Sequence, residues 1–161
     1  MSRTHNIDGA TVVVTGGCGF IGSHLVSALA ARGARRIVVI DSLRYGKPEN
    51  LAAGLPVEVV QHDLGFGEAS ELDGACAGAD FLFHLAAEKH NQSKDAPTRV
   101  LRANVEGTAA LLGAAGRAGV RKIVQIHMHR QIFMNSNCNR TNQGKMLQHH
   151  AIALRIPRGD F

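Results

Sequence analysis

Short apolar runs alternate along the chain with stretches whose apolar residues recur at helical spacing. Residues 11–14 (Thr-Val-Val-Val), 36–41 (Arg-Ile-Val-Val-Ile-Asp), 57–61, 80–85 and 120–126 are runs of the first kind. Runs of this length, rich in β-branched residues, predict strands buried inside a sheet. Residues 23–33 place apolar side chains one helical turn apart and end on Gly33, which predicts a helix with a glycine stop. Residues 68–77 predict a short helix. Residues 98–119 predict a long one, with Thr98 as its N-cap and Gly119 as its stop. Gly107, Gly113 and Gly116 lower the propensity of that helix, by about 1 kcal/mol each relative to alanine; small residues there suit close packing on a sheet. Residues 42–56 read as a loop with a short helical turn near 50–53, and residues 88–97 as a polar loop. There is no internal repeat. Alternating strands and helices with short links predict one α/β domain over residues 1–126, a five-stranded, parallel, right-handed doubly wound sheet.

The first strand runs into Thr15-Gly16-Gly17-Cys18-Gly19-Phe20-Ile21-Gly22 and then into the first helix. Two glycine spacings fit, Gly17-x-Gly19-x-x-Gly22 and Gly16-x-x-Gly19-x-x-Gly22. In a strand–turn–helix unit one glycine permits the tight turn and another lets the backbone approach a pyrophosphate. The last lets helix and strand pack closely, while free N–H groups at the helix start face the anion. A ligand-free tight turn has the same glycines; the strand before and the helix after favour a dinucleotide site. Asp41 follows Gly22 by 19 residues and ends the second strand. A carboxylate there accepts from both hydroxyls of an adenosine ribose and repels a 2′-phosphate, which favours NAD over NADP. A strand-ending turn aspartate would occupy the same position, and Arg44 is the feature on the side of NADP.

Hydrophobic residues make up 45% of the 161 and charged residues 19%, as in a folded soluble chain. Aromatics are only 4%, with no tryptophan, so the core falls to Ala, Val, Leu and Ile. The net charge of +5 does not make a nucleic-acid surface. Residues 127–161 hold five basic residues and one acid, so only +1 belongs to the body. Cys18, Cys76 and Cys138 are odd in number and lack paired spacing, which predicts a reducing compartment and no disulfide framework. Residues 1–10 are polar, without an apolar signal core, and no run of 18 apolar residues exists. The expected location is the cytoplasm, with no membrane and no nucleic acid as partner; the oligomeric state is open.

Residues 15–22 resemble the TGxxGFIG signature of the extended short-chain dehydrogenases, the NAD-dependent nucleotide-sugar epimerases and dehydratases. The likeness extends to Asp41-Ser42-Leu43-Arg44-Tyr45-Gly46 with Glu49-Asn50, to His62-Asp63-Leu64, to His84-Leu85-Ala86-Ala87-Glu88-Lys89 and to Asn104-Val105-Glu106-Gly107-Thr108. It spans residues 10–126 and is nearest in flavour to UDP-glucose 4-epimerases and dTDP-glucose 4,6-dehydratases. The resemblance implies an NAD site built from Gly16, Gly19, Phe20, Ile21, Gly22, Asp41 and Ser42. It implies that Asp63 and Leu64 flank the adenine, Asp63 accepting from its amino group. Leu85, Ala86 and Ala87 would line the ribose and nicotinamide end, with Lys89 contacting the cofactor and Asn104 facing the active site. Each also has a plain reading: Asp63 as a turn residue, Lys89 as a solvated charge, Asn104 as a surface amide, Ala86-Ala87 as packing. His84 matches a structural family histidine and is read as core. Cys18 is read as a spacer, since no base is assignable to it.

The family's chemistry needs Ser or Thr after the fifth strand and a Tyr-x-x-x-Lys some way beyond it, where the ammonium lowers the phenol pKa. Here Ile126-His127-Met128 replaces the serine cluster, Tyr45 is the only tyrosine, and no Tyr-x-x-x-Lys exists. No catalytic residue is therefore assigned. Residues 127–161 hold four of nine histidines, three of four methionines, four asparagines and no valine. They read as an atypical tail, disordered or the product of a frameshift, on a truncated and inactive cofactor half. His127, His129, Cys138, His149 and His150 match no compact zinc module, so no metal is expected. A non-catalytic NAD-sensing or interaction module is the alternative, and a short dehydrogenase with relocated catalytic groups a third.

Overall fold

The computed structural model describes residues 6–88, 95–128 and 149–154, the stretches 127–128 and 149–154 by backbone alone. Five strands, β1 (Thr11–Thr15), β2 (Arg36–Asp41), β3 (Val57–Gln61), β4 (Phe81–His84) and β5 (Lys122–Met128), form the expected parallel sheet. A sixth strand, β6 (His149–Leu154), pairs antiparallel with β5, from Ile123 opposite Leu154 to Met128 opposite His149. The order is β3-β2-β1-β4-β5-β6. No strand or helix period is readable over residues 127–144, and β6 lies beyond them, where no element is expected from the sequence. The remainder of the tail, residues 129–148 and 155–161, lies outside the described residues.

Alternation along the strands builds two cores. Val13, Val38, Ile40, Leu82 and Ile123 point to one face, under α2 (Ala69–Cys76) and α4 (Gly107–Arg117). Val12, Val14, Ile37, Val39 and Phe81 point to the other, where Val26 and Leu29 of α1 (Phe20–Ala31) cover them. Burial on both faces is what the unbroken apolar runs encode. The edge strand β3 is exposed at Glu58, Val59 and Gln61, and Glu58 pairs with Arg36 across the ladder.

The long helix differs from its expected form. Its first turn is α3 (Pro97–Leu101), capped by Ala96 with Pro97 at the first position, so Thr98 lies inside the helix. A π-helical turn, Arg102–Glu106, then links α3 to α4. Proline lacks the N–H that a first helical position leaves unbonded, so it starts the helix two residues earlier than a Thr98 cap would. A Cβ on Gly107 would stand 2.7 Å from Leu64 and Gly65 atoms, and Ala114 and Ala115 are fully buried. Close approach of α4 thus brings the π turn, with Asn104, against the loop after β3. Between β2 and β3 the helical turn is a 3-10 turn at Pro48–Asn50, slightly earlier than expected.

Candidate functional site

Strand order reverses at β1: the chain leaves it toward β2 and β3, then returns to β4 on its other side. A cleft outside the carboxyl ends of the strands is the geometric consequence. Here its walls come from the segments after β1, β2, β3 and β4 and from the π turn.

After β1 the three glycines have separate tasks. Gly16 turns the chain at φ +70°, with space for a Cβ taken by the Ala86 backbone at 2.9 Å. Gly22 packs α1 onto that turn, because a Cβ there would stand 2.1 Å from the Gly16 carbonyl oxygen. Gly19 differs. A Cβ on it would meet only the Gly16 oxygen, at 3.2 Å, and Gly19 lines the cleft. It is also the N-cap of α1, with no side-chain cap on the helix, so the first-turn N–H groups of Phe20, Ile21 and Gly22 lack intrahelical partners. Phe20 and Ile21 are exposed, whereas Gly22 is buried.

Thr15 ties β1 to β4. Its Oγ1 accepts from the N–H groups of Leu85 and Ala86 at 3.2 and 3.1 Å. With both lone pairs used, its hydroxyl donates to Nδ1 of His84, 2.6 Å away. His84 therefore carries its hydrogen on Nε2, which donates to Thr108 Oγ1 at 3.0 Å. Thr108 in turn donates to the Asn104 carbonyl at 2.8 Å. This buried histidine holds two strand ends and α4 in place, as its reading as a core residue expects. Leu85, Ala86 and Ala87 consequently run along the cleft.

Asp41 and Ser42 line the cleft after β2. Asp63 and Leu64 do so after β3, and Asn104 from the π turn. The Asn104 amide clasps one peptide: its Oδ1 accepts from Glu88 N–H at 2.8 Å and its Nδ2 donates to the Glu88 carbonyl at 3.1 Å. Ten of the fourteen residues named from sequence thus share the cleft wall. Phe20, Ile21 and Gly22 form the helix start beside it, and Lys89 lies outside the described residues. Cys18 is fully buried. Burial, then the charges of Asp41 and Glu49, push its thiol up to about 11, which leaves it protonated at neutral pH and unsuited to nucleophilic attack.

Sequence reasoning does not find the charged rim. The Glu88 carboxylate is buried, 6% exposed, with Arg99 Nε donating to it at 2.9 Å, Tyr45 Oη at 3.2 Å and Arg44 Nε 3.6 Å away. Arg99 Nη2 also donates to Asp63 Oδ2. The hydrogen bond to Asp63 raises the already high pKa of the guanidinium, against a smaller opposing effect of burial. Glu88 lies within a recognised stretch, but only the fold shows that its side chain turns inward to three partners.

A family model, described as the NAD dependent epimerase/dehydratase family, matches residues 12–129. Among curated proteins, the dTDP-glucose 4,6-dehydratase of Streptomyces griseus is 40% identical over 124 residues, 71% of this chain and 37% of that protein. UDP-glucuronic acid decarboxylase 2 of Arabidopsis thaliana is 36% identical over 117 residues, 70% of this chain and 24% of that protein. Of the solved structures, the UDP-glucose 4-epimerase of Thermus thermophilus in complex with NAD superposes with a TM-score of 0.61 at 35% identity, over 70% of this chain and 36% of that one. The chain therefore spans about a quarter to two-fifths of the length of these relatives. A sugar-nucleotide decarboxylase among them widens the expected circle of epimerases and dehydratases. With its doubly wound sheet, its glycine turn and a match over residues 12–129, the chain belongs to the NAD dependent epimerase/dehydratase family.

Proposed function

We propose that the cleft binds NAD. The observation that carries this reading is the gap at Gly19, where bare backbone and an uncapped helix start border the cleft. A pyrophosphate needs both features. In this reading Gly16, Gly19, Phe20, Ile21 and Gly22 form the phosphate turn. Asp41 and Ser42 hold the adenosine ribose, and Asp63 and Leu64 the adenine. Leu85, Ala86 and Ala87 border the nicotinamide end, with Asn104 beside it; a cofactor contact from Lys89 rests on the family resemblance alone. NAD bound in the Thermus thermophilus relative supports the choice of cofactor. When bound, NAD accepts or returns a hydride; this chain supplies the anion site, the ribose acceptor and the walls. Calorimetric titration of the purified chain with NAD tests the reading, and no binding heat at millimolar cofactor overturns it.

The chain is, on this proposal, the cofactor half of a cytoplasmic nucleotide-sugar epimerase or dehydratase, whose intact relatives pass a hydride from the sugar to NAD. These 161 residues on their own oxidise no sugar nucleotide. Their one tyrosine, Tyr45, donates to Glu88 at the cleft rim, and no Tyr-x-x-x-Lys is present. Residues 1–126 would be the NAD-binding unit and 127–161 a frameshifted tail. Pairing of β6 with β5 favours a second reading, a non-catalytic NAD-sensing module whose tail is part of its surface. Translating the encoding nucleotide sequence in all frames separates the two. A serine cluster and Tyr-x-x-x-Lys in another frame beyond codon 125 support the interrupted enzyme, and their absence supports the module.

A further inference from the structure

Arg99 stands where three segments of the cleft meet, and its guanidinium has partners at Nη2, at Nε and on one face. Nη2 donates to Asp63 Oδ2, from the loop after β3. Nε donates to Glu88 Oε1 at 2.9 Å, from the segment after β4. The face of the group lies over the Phe66 ring, with Cζ 4.4 Å from its centroid. A planar fork fixed by two in-plane carboxylates and one ring keeps a single orientation, which the flexible ammonium of a lysine would not. Its stem comes from α3, started by Pro97 and continued by the π turn. Arg99 thus has a rigid base as well as rigid partners.

The effect falls on Asp63. This side chain is about a third exposed at the cleft wall and would otherwise rotate between equivalent oxygens. Arg99 takes Oδ2 and leaves Oδ1 as the acceptor for a ligand. A fixed, charged acceptor at the end of a nucleotide cleft selects a donor on the base. Adenine presents its 6-amino group, whereas hypoxanthine presents a carbonyl that the carboxylate repels. We propose that Arg99 is a positioning residue that makes Asp63 selective for an amino-bearing purine. This rests on the cleft being an NAD site, as proposed above. It adds a residue that no glycine motif or strand-end acid identifies.

The test uses the full chain, NAD, and the hypoxanthine analogue of NAD in which a carbonyl replaces the 6-amino group. Wild type binds NAD tighter than the analogue by about tenfold or more, the scale of one charge-assisted hydrogen bond. Arg99→Ala brings that ratio toward one, because Asp63 is released. Arg99→Lys, which keeps the charge but not the fork, falls between the two and carries the test if Arg99→Ala does not fold. A general loss of structure weakens both ligands alike and leaves the ratio unchanged. An Arg99→Lys or folded Arg99→Ala variant with the wild-type ratio overturns the role of Arg99. Equal affinity of wild type for the two ligands also overturns it and leaves the NAD site standing. Binding of neither ligand overturns both readings.

Discussion

The backbone N–H of Cys18 donates to Oδ2 of Asp41 at 3.0 Å, tying the glycine turn to the end of β2. Leu43 N–H donates to Oδ1 at 2.9 Å, from a residue in the left-handed region at φ 57°. Each carboxylate oxygen of this 6%-exposed residue has a main-chain donor and keeps lone pairs for a ribose. Wild type should therefore bind NAD at least about tenfold tighter than NADP, since a 2′-phosphate meets a fixed negative charge. Asp41→Asn turns an amide N–H₂ toward one of the two main-chain donors. We expect it to weaken NAD binding and to lower stability by about 1–3 kcal/mol. Calorimetry with both cofactors and urea unfolding measure the two effects; equal or tighter NADP binding by wild type refutes the ribose role.

That bond also shows which parts of the site are legible in sequence. Asp41 and the glycines are local signals: a strand run, a turn and a helix period, with the acid placed by the length of one strand–helix–strand unit. The five parallel strands are legible for the same reason. The Arg99 pairs are different. Asp63 and Arg99 are 36 residues apart, and their meeting needs α4 to approach closely at Gly107, the helix to begin at Pro97, and a π turn that no spacing announces. Strand β6 is missed because its residues, His149-His150-Ala151-Ile152-Ala153-Leu154, show neither alternation nor a β-branched run. Only the available edge of β5 gives them a partner.

Substitutions at the glycines should separate ligand binding from folding. Gly19→Val places methyl groups at the cleft wall, with its Cβ 3.2 Å from the Gly16 oxygen, a tight contact to which the turn must yield slightly. The fold should survive, with circular dichroism close to wild type and a modestly lower melting temperature from the tight contact and the poorer N-cap, while NAD affinity falls by at least about a hundredfold. Gly22→Ala drives a Cβ to 2.1 Å from the Gly16 oxygen and should cost about 3 kcal/mol or more, because backbone must move. Retained NAD binding in Gly19→Val would show that the turn is structural only.

Thr15 carries three hydrogen bonds through one hydroxyl. Thr15→Val keeps the shape but leaves the N–H groups of Leu85 and Ala86 and Nδ1 of His84 without this partner. Each lost bond to a desolvated group costs about 1–3 kcal/mol, so the variant should unfold at clearly lower urea. Thr15→Ser restores the hydroxyl and should stay within about 1 kcal/mol of wild type. If Val and Ser variants unfold together, the network does not support the strand ends.

Stability should fall in alkali through the buried thiols. Cys76 is fully buried in the core beneath α4. Burial first, and the Asp73 charge second, push its thiol from 9.0 up to about 11, opposed by Arg117. The folded state then holds this proton to higher pH than the unfolded chain does. The stabilisation is complete below the unfolded value of 9.0 and is lost as pH rises toward about 11. Cys18 adds a parallel contribution over the same window. Cys76→Ala removes one thiol and leaves the Cys18 thiol in place. Its urea midpoint should start lower than wild type at pH 8, because a small cavity replaces the sulfur. It should then lose less between pH 8 and pH 10.5. An equal drop in both proteins would mean that the Cys76 thiol ionises as readily folded as unfolded, contrary to its burial.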